Sequence, residues 1–499
     1  MIKISNLPVI PDMLQLIPRL SEVYLNLLGL YNRYNSIYFK TFQENLKSKN
    51  IVITVVGSNI NKKMEEFYNS WLELVDREFD TELKSPNFKI ILSNFINSLI
   101  ELRSLCRKLG YPVDYLDWLF HLYTQYLVYI FIDKPKEFKL APFDTIYRNG
   151  PTRLLHYLRT NNNYTTNKIE NTNNKSLPTT SKTANTSSSL QPLLIIYAPI
   201  NRFQIMDLNP QKSIVRNLLS NDLDVYLLDW GYPSMEITKV DQATDNNNND
   251  YDDNSNNNNN LSLDDYISYV DDAIQIIKNK TGLDRIPILG YCWGGLIALI
   301  YTALHNDSVK NLSLMATPVD FDKDNTILAN WSKAIDIDKM MEEFGYMSGQ
   351  LLDTLFLMRN PPRYTFDKYL KLFKRIDDKE FVNTFFDVEG WLYNTPSIPR
   401  NIYSQIINDC YKNNLLIQPA RMKVNGKKVD IRNVSVPLLI IDAEKDDLVS
   451  TDSSIAAVDY VSSSKKEFLT NPGGHVALCI SNSALERLWP SAAKWILSN

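Results

Sequence analysis

The chain has 499 residues, 44% apolar and 11% aromatic, enough to bury a large core and to exclude disorder throughout. Lys and Arg total 53 against 57 for Asp and Glu, a net charge of -4 without a basic block, which argues against a nucleic-acid partner. Cys106, Cys292, Cys410 and Cys479 lie far apart with no CxxC pair, so neither a disulfide framework nor a metal site is expected and a reducing cytoplasm fits.

MIKISNLPVIPDM has no basic segment leading into an apolar run, so no secretory leader is expected. Up to about residue 135 the apolar spacing is helical: Phe67, Trp71, Leu74, Val75 and Phe79 recur at three and four, and Ser85-Pro86 reads as a helix start. This predicts an all-α N-terminal region, 1–135. Residues 115–132 are the nearest approach to a membrane span, but Asp117, His121 and Gln125 are costly in hydrocarbon, and a core or interface helix is expected instead. Beyond this boundary, DTIYRNGPTRLLHY alternates around Asn149-Gly150 and predicts a strand pair that opens a second domain, 136–499.

Two segments, 161–189 and 241–260, are rich in Asn, Thr and Ser and read as disordered insertions. From residue 191 short apolar strands alternate with amphipathic helices. The strands are PLLIIYA (192–198), DVYLLDW (224–230), RIPILG (285–290), NLSLMAT (311–317), PLLIIDA (437–443) and KEFLT (466–470). Helices are expected at 210–220 and at 262–280, where Ser262 and Asp265 form a capping box. Near-continuous apolar strands between helices imply a parallel sheet covered on both faces. The largely helical segment 320–430 breaks this rhythm and reads as a cap.

Between RIPILG and LIALIYTALH stands Gly290-Tyr291-Cys292-Trp293-Gly294-Gly295. With 4 Cys and 15 Gly, chance matches to G-x-C-x-G number 4 × (15/499)², about 0.004, so the motif is informative. A sharp strand-to-helix turn projects its central residue, and a helix N-terminus favours thiolate, the reactive form of cysteine. The plain alternative is an inert buried cysteine at a tight turn. Of the four histidines, His121 and His156 precede the parallel sheet, and His305 lies about 20 Å along the same helix at 1.5 Å per residue. That leaves His475, after Gly473-Gly474, as the base. A carboxylate after an intervening strand should orient it, and Asp446 and Asp447 both qualify. The backbone N–H of Trp293 and a second N–H near Ile200-Asn201 are the expected oxyanion donors.

Taken together, LAPFDTIYRNGPTRLLHY, DVYLLDWGYPS, GYCWGG, EGWLYNTPSIP, AEKDDLVS and GGHVALCIS resemble the catalytic subunit of class III polyhydroxyalkanoate synthases, over residues 138–499. The resemblance implies an α/β-hydrolase fold with a mainly parallel sheet and helical cap, and a Cys292, Asp446 and His475 triad. It also implies (R)-3-hydroxyacyl coenzyme A thioesters as substrate, no cofactor, a polyester product, and a cytoplasmic location on polymer granules. A homodimer or a separate partner subunit is the implied assembly. Two departures stand out. Asp447 occupies a position where the family usually has histidine, adding negative charge beside the acid. WLELVDREFDTELKSPNFKIILSNFINSLIELRSLCRKLGYP resembles the family's non-catalytic partner subunit, as in a fusion of the two. The rival readings are a dienelactone-hydrolase-like enzyme and a non-catalytic granule scaffold.

Overall fold

The apolar segments assemble into one eight-stranded sheet. Its strands are β1 (Phe143–Asn149), β2 (Thr152–Tyr157), β3 (Gln191–Ile196), β4 (Leu223–Asp229), β5 (Ile286–Tyr291), β6 (Val309–Met315), β7 (Leu438–Ala443) and β8 (Lys466–Asn471). The spatial order is β1-β2-β4-β3-β5-β6-β7-β8. The first hairpin is antiparallel and β2 also runs antiparallel to β4, whereas all later pairings are parallel. The computed structural model describes residues 138–159, 190–232, 260–360, 363–364, 368–375 and 377–499, with scattered positions between 22 and 108. Apart from those scattered positions and Asn260, the N-terminal helical module, with the stretch 115–132, and the two Asn-rich segments lie outside the described residues.

Burial explains the grammar of these strands. Every residue of β5 and β7 is buried, as a parallel strand covered on both faces requires. The edge strand β1 instead has only half-buried and exposed positions, and its neighbour β2 already buries Leu154 and Leu155 completely.

Helix α1 (Ile214–Ser220) starts later than the spacing predicts, because Asp207–Asn209 pairs with Lys212–Ser213 as a small ribbon. Asn209 Oδ1 closes its turn by accepting N–H bonds from Gln211 and Lys212, at 3.0 and 2.9 Å, and Ser213 then caps the helix. Helix α2 (Leu263–Thr281) carries the expected capping box, Ser262 with Asp265, and ends at Gly282 with a left-handed φ of 73°. Helix α3 (Trp293–Leu304) is buried along all but its last residue, since it runs beneath other elements as well as over the sheet.

Between β6 and β7 the chain is mainly helical, as expected of a cap. Its helices are α4 (Ile327–Ala334), α5 (Ile337–Phe344), α6 (Gly349–Met358), α7 (Lys368–Lys374), α8 (Lys379–Leu392) and α9 (Arg400–Gln405), the last running into a π-helical turn, Ile406–Lys412. Helix α10 (Trp489–Ser498) closes the fold against α1.

Candidate active site

Cys292 stands between β5 and α3 with φ 55° and ψ -124°, a strained conformation for a residue with a side chain. Its N–H donates to Met315 O at 2.9 Å, which fastens the bend to β6. The flanking glycines are a steric necessity. A Cβ on Gly294 would fall 2.2 Å from Ile196 O, and one on Gly295 would fall 1.8 Å from Thr317 Oγ1. As the first residue of α3, Trp293 has one of the N–H groups that no helical carbonyl can accept.

His475 follows β8 through Gly473, whose φ of 115° only glycine adopts readily. Lys445 N donates to Gly473 O at 2.8 Å, tying the histidine loop to the loop after β7. There Asp446 Oδ1 accepts N–H bonds from Leu448 and Val449 at 2.9 and 3.0 Å, while Oδ2 lies 2.7 Å from His475 Nδ1. Because a carboxylate can only accept, this contact places the proton on Nδ1 and turns Nε2 away from Asp446. Both side chains are nearly inaccessible, at 6% for His475 and 3% for Asp446. Burial pushes the imidazole pKa down, but the Asp446 charge, then the Cys292 charge and hydrogen bonds to both side chains, outweigh it and raise it from 6.5 to about 10.

The remaining sequence candidates fall as follows. Asp447 turns the other way from Asp446, toward Arg359, whose Nε is 3.2 Å from its Oδ2, and Tyr364 donates its hydroxyl to the same carboxylate. Burial pushes Asp447 up, but the Arg359 charge and the Tyr364 hydrogen bond hold it below the usual carboxylate value. The negative charge added beside the acid is thus paired by residues of the helical insertion between β6 and β7. Ile200 lies in the loop after β3 and lines one cavity together with Cys292, Trp293 and His475. His156 Nε2 is instead bound to Asp224 Oδ1 at 2.8 Å, and His305 stacks on Tyr301 at the far end of α3. His121 lies outside the described residues.

Leu352, Leu355 and Phe356 of α6 and Trp331 of α4 supply apolar walls to that cavity, so the insertion is a cap over the thiol. Sequence reading identifies neither Arg359 nor Trp391 as a site residue: Arg359 stands in no local motif, and Trp391 lies within EGWLYNTPSIP, a stretch to which it assigns no role. Asp442, read as part of a strand, is the penultimate residue of β7 at 5% exposure; burial raises its pKa to about 7, with the Asp446 charge adding to the rise and Ser454 and His475 opposing it. Among the described residues no cluster of His, Cys, Asp or Glu is placed to hold a metal ion, and no described helix is long and apolar enough to cross a membrane.

The family model for the α/β-hydrolase fold matches residues 203–479, more than half of the chain. A poly(3-hydroxyalkanoate) polymerase subunit PhaC from Allochromatium vinosum is 35% identical over 306 residues, covering 61% of this chain and 80% of that one. The chain belongs to the PhaC polymerase family. Further PhaC relatives are those of Thiocystis violacea, with the same identity and coverage, and of Synechocystis sp., 34% identical over 313 residues and covering 61% and 77% of the two chains. In this PhaC family member the strand order carries Cys292, Asp446 and His475 on turns after β5, β7 and β8.

Proposed function

We propose that this chain polymerises (R)-3-hydroxyacyl groups delivered as coenzyme A thioesters, with Cys292 as nucleophile, His475 as base and Asp446 as the acid that orients it. The observation that carries this reading is the contact of 2.7 Å between Asp446 and His475, at a cavity that His475 lines together with Cys292.

In the first half-reaction Cys292, whose proton His475 Nε2 already holds in a thiolate–imidazolium pair, attacks the thioester carbonyl. The oxyanion is met by the N–H groups of Trp293 and Ile200. Collapse breaks the bond to coenzyme A, whose sulfur takes the proton from His475, leaving an acyl-cysteine. In the second, His475 accepts the proton of a 3-hydroxyl group from another acyl thioester. The alkoxide oxygen attacks the acyl-cysteine carbonyl, an ester forms, and Cys292 leaves as thiolate to be acylated again. No cofactor takes part in these steps.

Water entering at the acyl-cysteine stage terminates the chain, and the apolar cap is suited to excluding it. An insoluble polyester product places the enzyme on the surface of polymer granules in the cytoplasm. The assembly consistent with this reading is a homodimer, or a complex with a separate partner subunit.

Incubation of the purified chain with (R)-3-hydroxybutyryl coenzyme A separates the alternatives. Thiol release with rising turbidity, both abolished in Cys292→Ala, supports the polymerase. Thiol release without polymer indicates a hydrolase of the dienelactone-hydrolase kind, and no release, with or without the partner subunit supplied, indicates a scaffold.

A further inference from the structure

The loop that carries Ile200 is held in part from the cap. Trp391, in α8, donates its Nε1–H to Arg202 O at 2.6 Å, across 189 residues of chain. Its indole is 5% exposed and lines the same cavity as Ile200, Cys292 and His475. Asn201, between Ile200 and Arg202, sits at φ 63°, a left-handed turn that asparagine adopts more readily than other residues with a side chain, and its Oδ1 accepts the Arg202 N–H at 2.7 Å. Two further contacts fasten α8 along the segment that follows: Asn209 Nδ2 donates to Asp387 Oδ2 at 2.7 Å, and Lys212 Nζ lies 3.2 Å from Glu380 Oε1.

We propose that Trp391 is a positioning residue whose hydrogen bond to the Arg202 carbonyl sets the Ile200 amide as an oxyanion donor, so that the hole is complete only while α8 is docked. This rests on the reading of Ile200 N–H as the second donor. An oxyanion donor works only when it lies about 2.7–3.1 Å from the oxygen that becomes charged, and displacements of about 0.5 Å matter. The turn at Asn201 engages the Arg202 N–H, and the indole N–H holds the carbonyl of the same residue, so the peptide next to Ile200 is fixed from both the loop and the cap. Cap docking and transition-state stabilisation are thereby coupled: an acyl group entering beneath an undocked cap meets a hole with one donor out of place.

The test is Trp391→Phe, which keeps the apolar ring and removes the N–H. Coenzyme A release from (R)-3-hydroxybutyryl coenzyme A is measured for kcat and KM, together with the thermal midpoint. The expected result is a fall in kcat of about 10- to 100-fold, short of the loss of a whole donor, with KM changed by less than about twofold and the midpoint by less than about 2 °C. Ile200→Pro deletes the amide hydrogen itself, and adding Trp391→Phe to it should cause no further loss. A kcat for Trp391→Phe within about twofold of the parent overturns the proposal, as does a full additional loss in the Ile200→Pro background. If Ile200→Pro is folded and fully active, the Ile200 assignment fails and the proposal with it, whereas failure of the acyl-transfer reading shows independently as thiol release that survives Cys292→Ala. Should Ile200→Pro not fold, kcat of the single Trp391→Phe variant decides.

Discussion

Arg359, the residue after α6 in the cap, meets Asp447 with Nε 3.2 Å from Oδ2 and its second nitrogen 3.4 Å from Oδ1, one residue beyond the carboxylate that holds His475. The guanidinium is largely buried, so removing either partner strands a charge. Arg359→Ala should cost about 1–3 kcal/mol of stability, below the full cost of breaking a buried pair because Asp447 is partly exposed. The double variant Arg359→Ala with Asp447→Asn should recover part of that loss. Asp447→His, which restores the residue usual in the family, should be tolerated less well here than with Arg359 also removed. Urea unfolding of the four variants checks this, and strictly additive changes would show that the pair is not coupled.

The carboxylate of Asp446 is separable from its shape. Asp446→Asn keeps the volume but offers the imidazole an amide, which stabilises the wrong tautomer and no longer supports the imidazolium. Coenzyme A release should fall by about 10²- to 10⁴-fold with little change in the far-ultraviolet circular dichroism spectrum. Retention of more than about a tenth of the activity would assign the acid elsewhere.

His475 fixes the sign of one pH dependence. Its folded pKa of about 10 lies above the ordinary 6.5, so its contribution to stability is complete below 6.5 and is lost as pH rises toward 10. Imidazole chemical shifts should show His475 still protonated at about pH 8, where an ordinary histidine is neutral. In Cys292→Ala the midpoint should move down, because the Cys292 charge is one of the groups raising it. An unchanged midpoint in that variant would mean that thiol and imidazole do not interact.

Much of this arrangement is legible in the chain because it is encoded locally. The six parallel strands stand out as apolar runs, and the elbow is visible because steric demand at Gly290, Gly294 and Gly295 leaves so little choice of residue. The choice between Asp446 and Asp447 is different. Both sit in the same polar turn, and what separates them is distant: His475 binds one, while Arg359, 88 residues away, binds the other. The hold of Trp391 on Arg202 is likewise invisible to periodicity, since it joins a helix face to a backbone carbonyl rather than to a side-chain pattern. The late start of α1 follows from turn chemistry at Asn209, which the helical spacing of 210–220 masks.

Asp442 gives a second lever on stability, of the same sign but at lower pH. Burial first, and then the Asp446 charge, raise its pKa from 3.8 to about 7, so the folded protein binds this proton more tightly than the unfolded chain. An acid raised in this way leaves stability intact below 3.8 and erodes it as pH climbs through 7. Asp442→Asn should therefore raise the thermal midpoint at about pH 8, by at least about 2 °C, and give little or no gain at about pH 4. A gain of equal size at both values would point to altered packing rather than to the cost of ionising a carboxyl group beneath Asp446.

The two glycines after Trp293 should differ in how they can be repaired. On Gly294 an added methyl meets backbone, Ile196 O at 2.2 Å and Tyr197 C at 2.5 Å, and no side-chain substitution can make room. On Gly295 it meets a side chain, Thr317 Oγ1 at 1.8 Å with Cβ and Cγ2 each at 2.8 Å. Each alanine variant should lose about 1–3 kcal/mol or more, and both should lose activity because the bend that presents Cys292 is displaced. Thr317→Ala removes Oγ1 and Cγ2, so it should restore part of the stability of Gly295→Ala and none of that of Gly294→Ala. Denaturant midpoints of the four variants, with Thr317→Ala as the common reference, test this, and equal rescue of both glycine variants would place the steric limit somewhere other than Thr317.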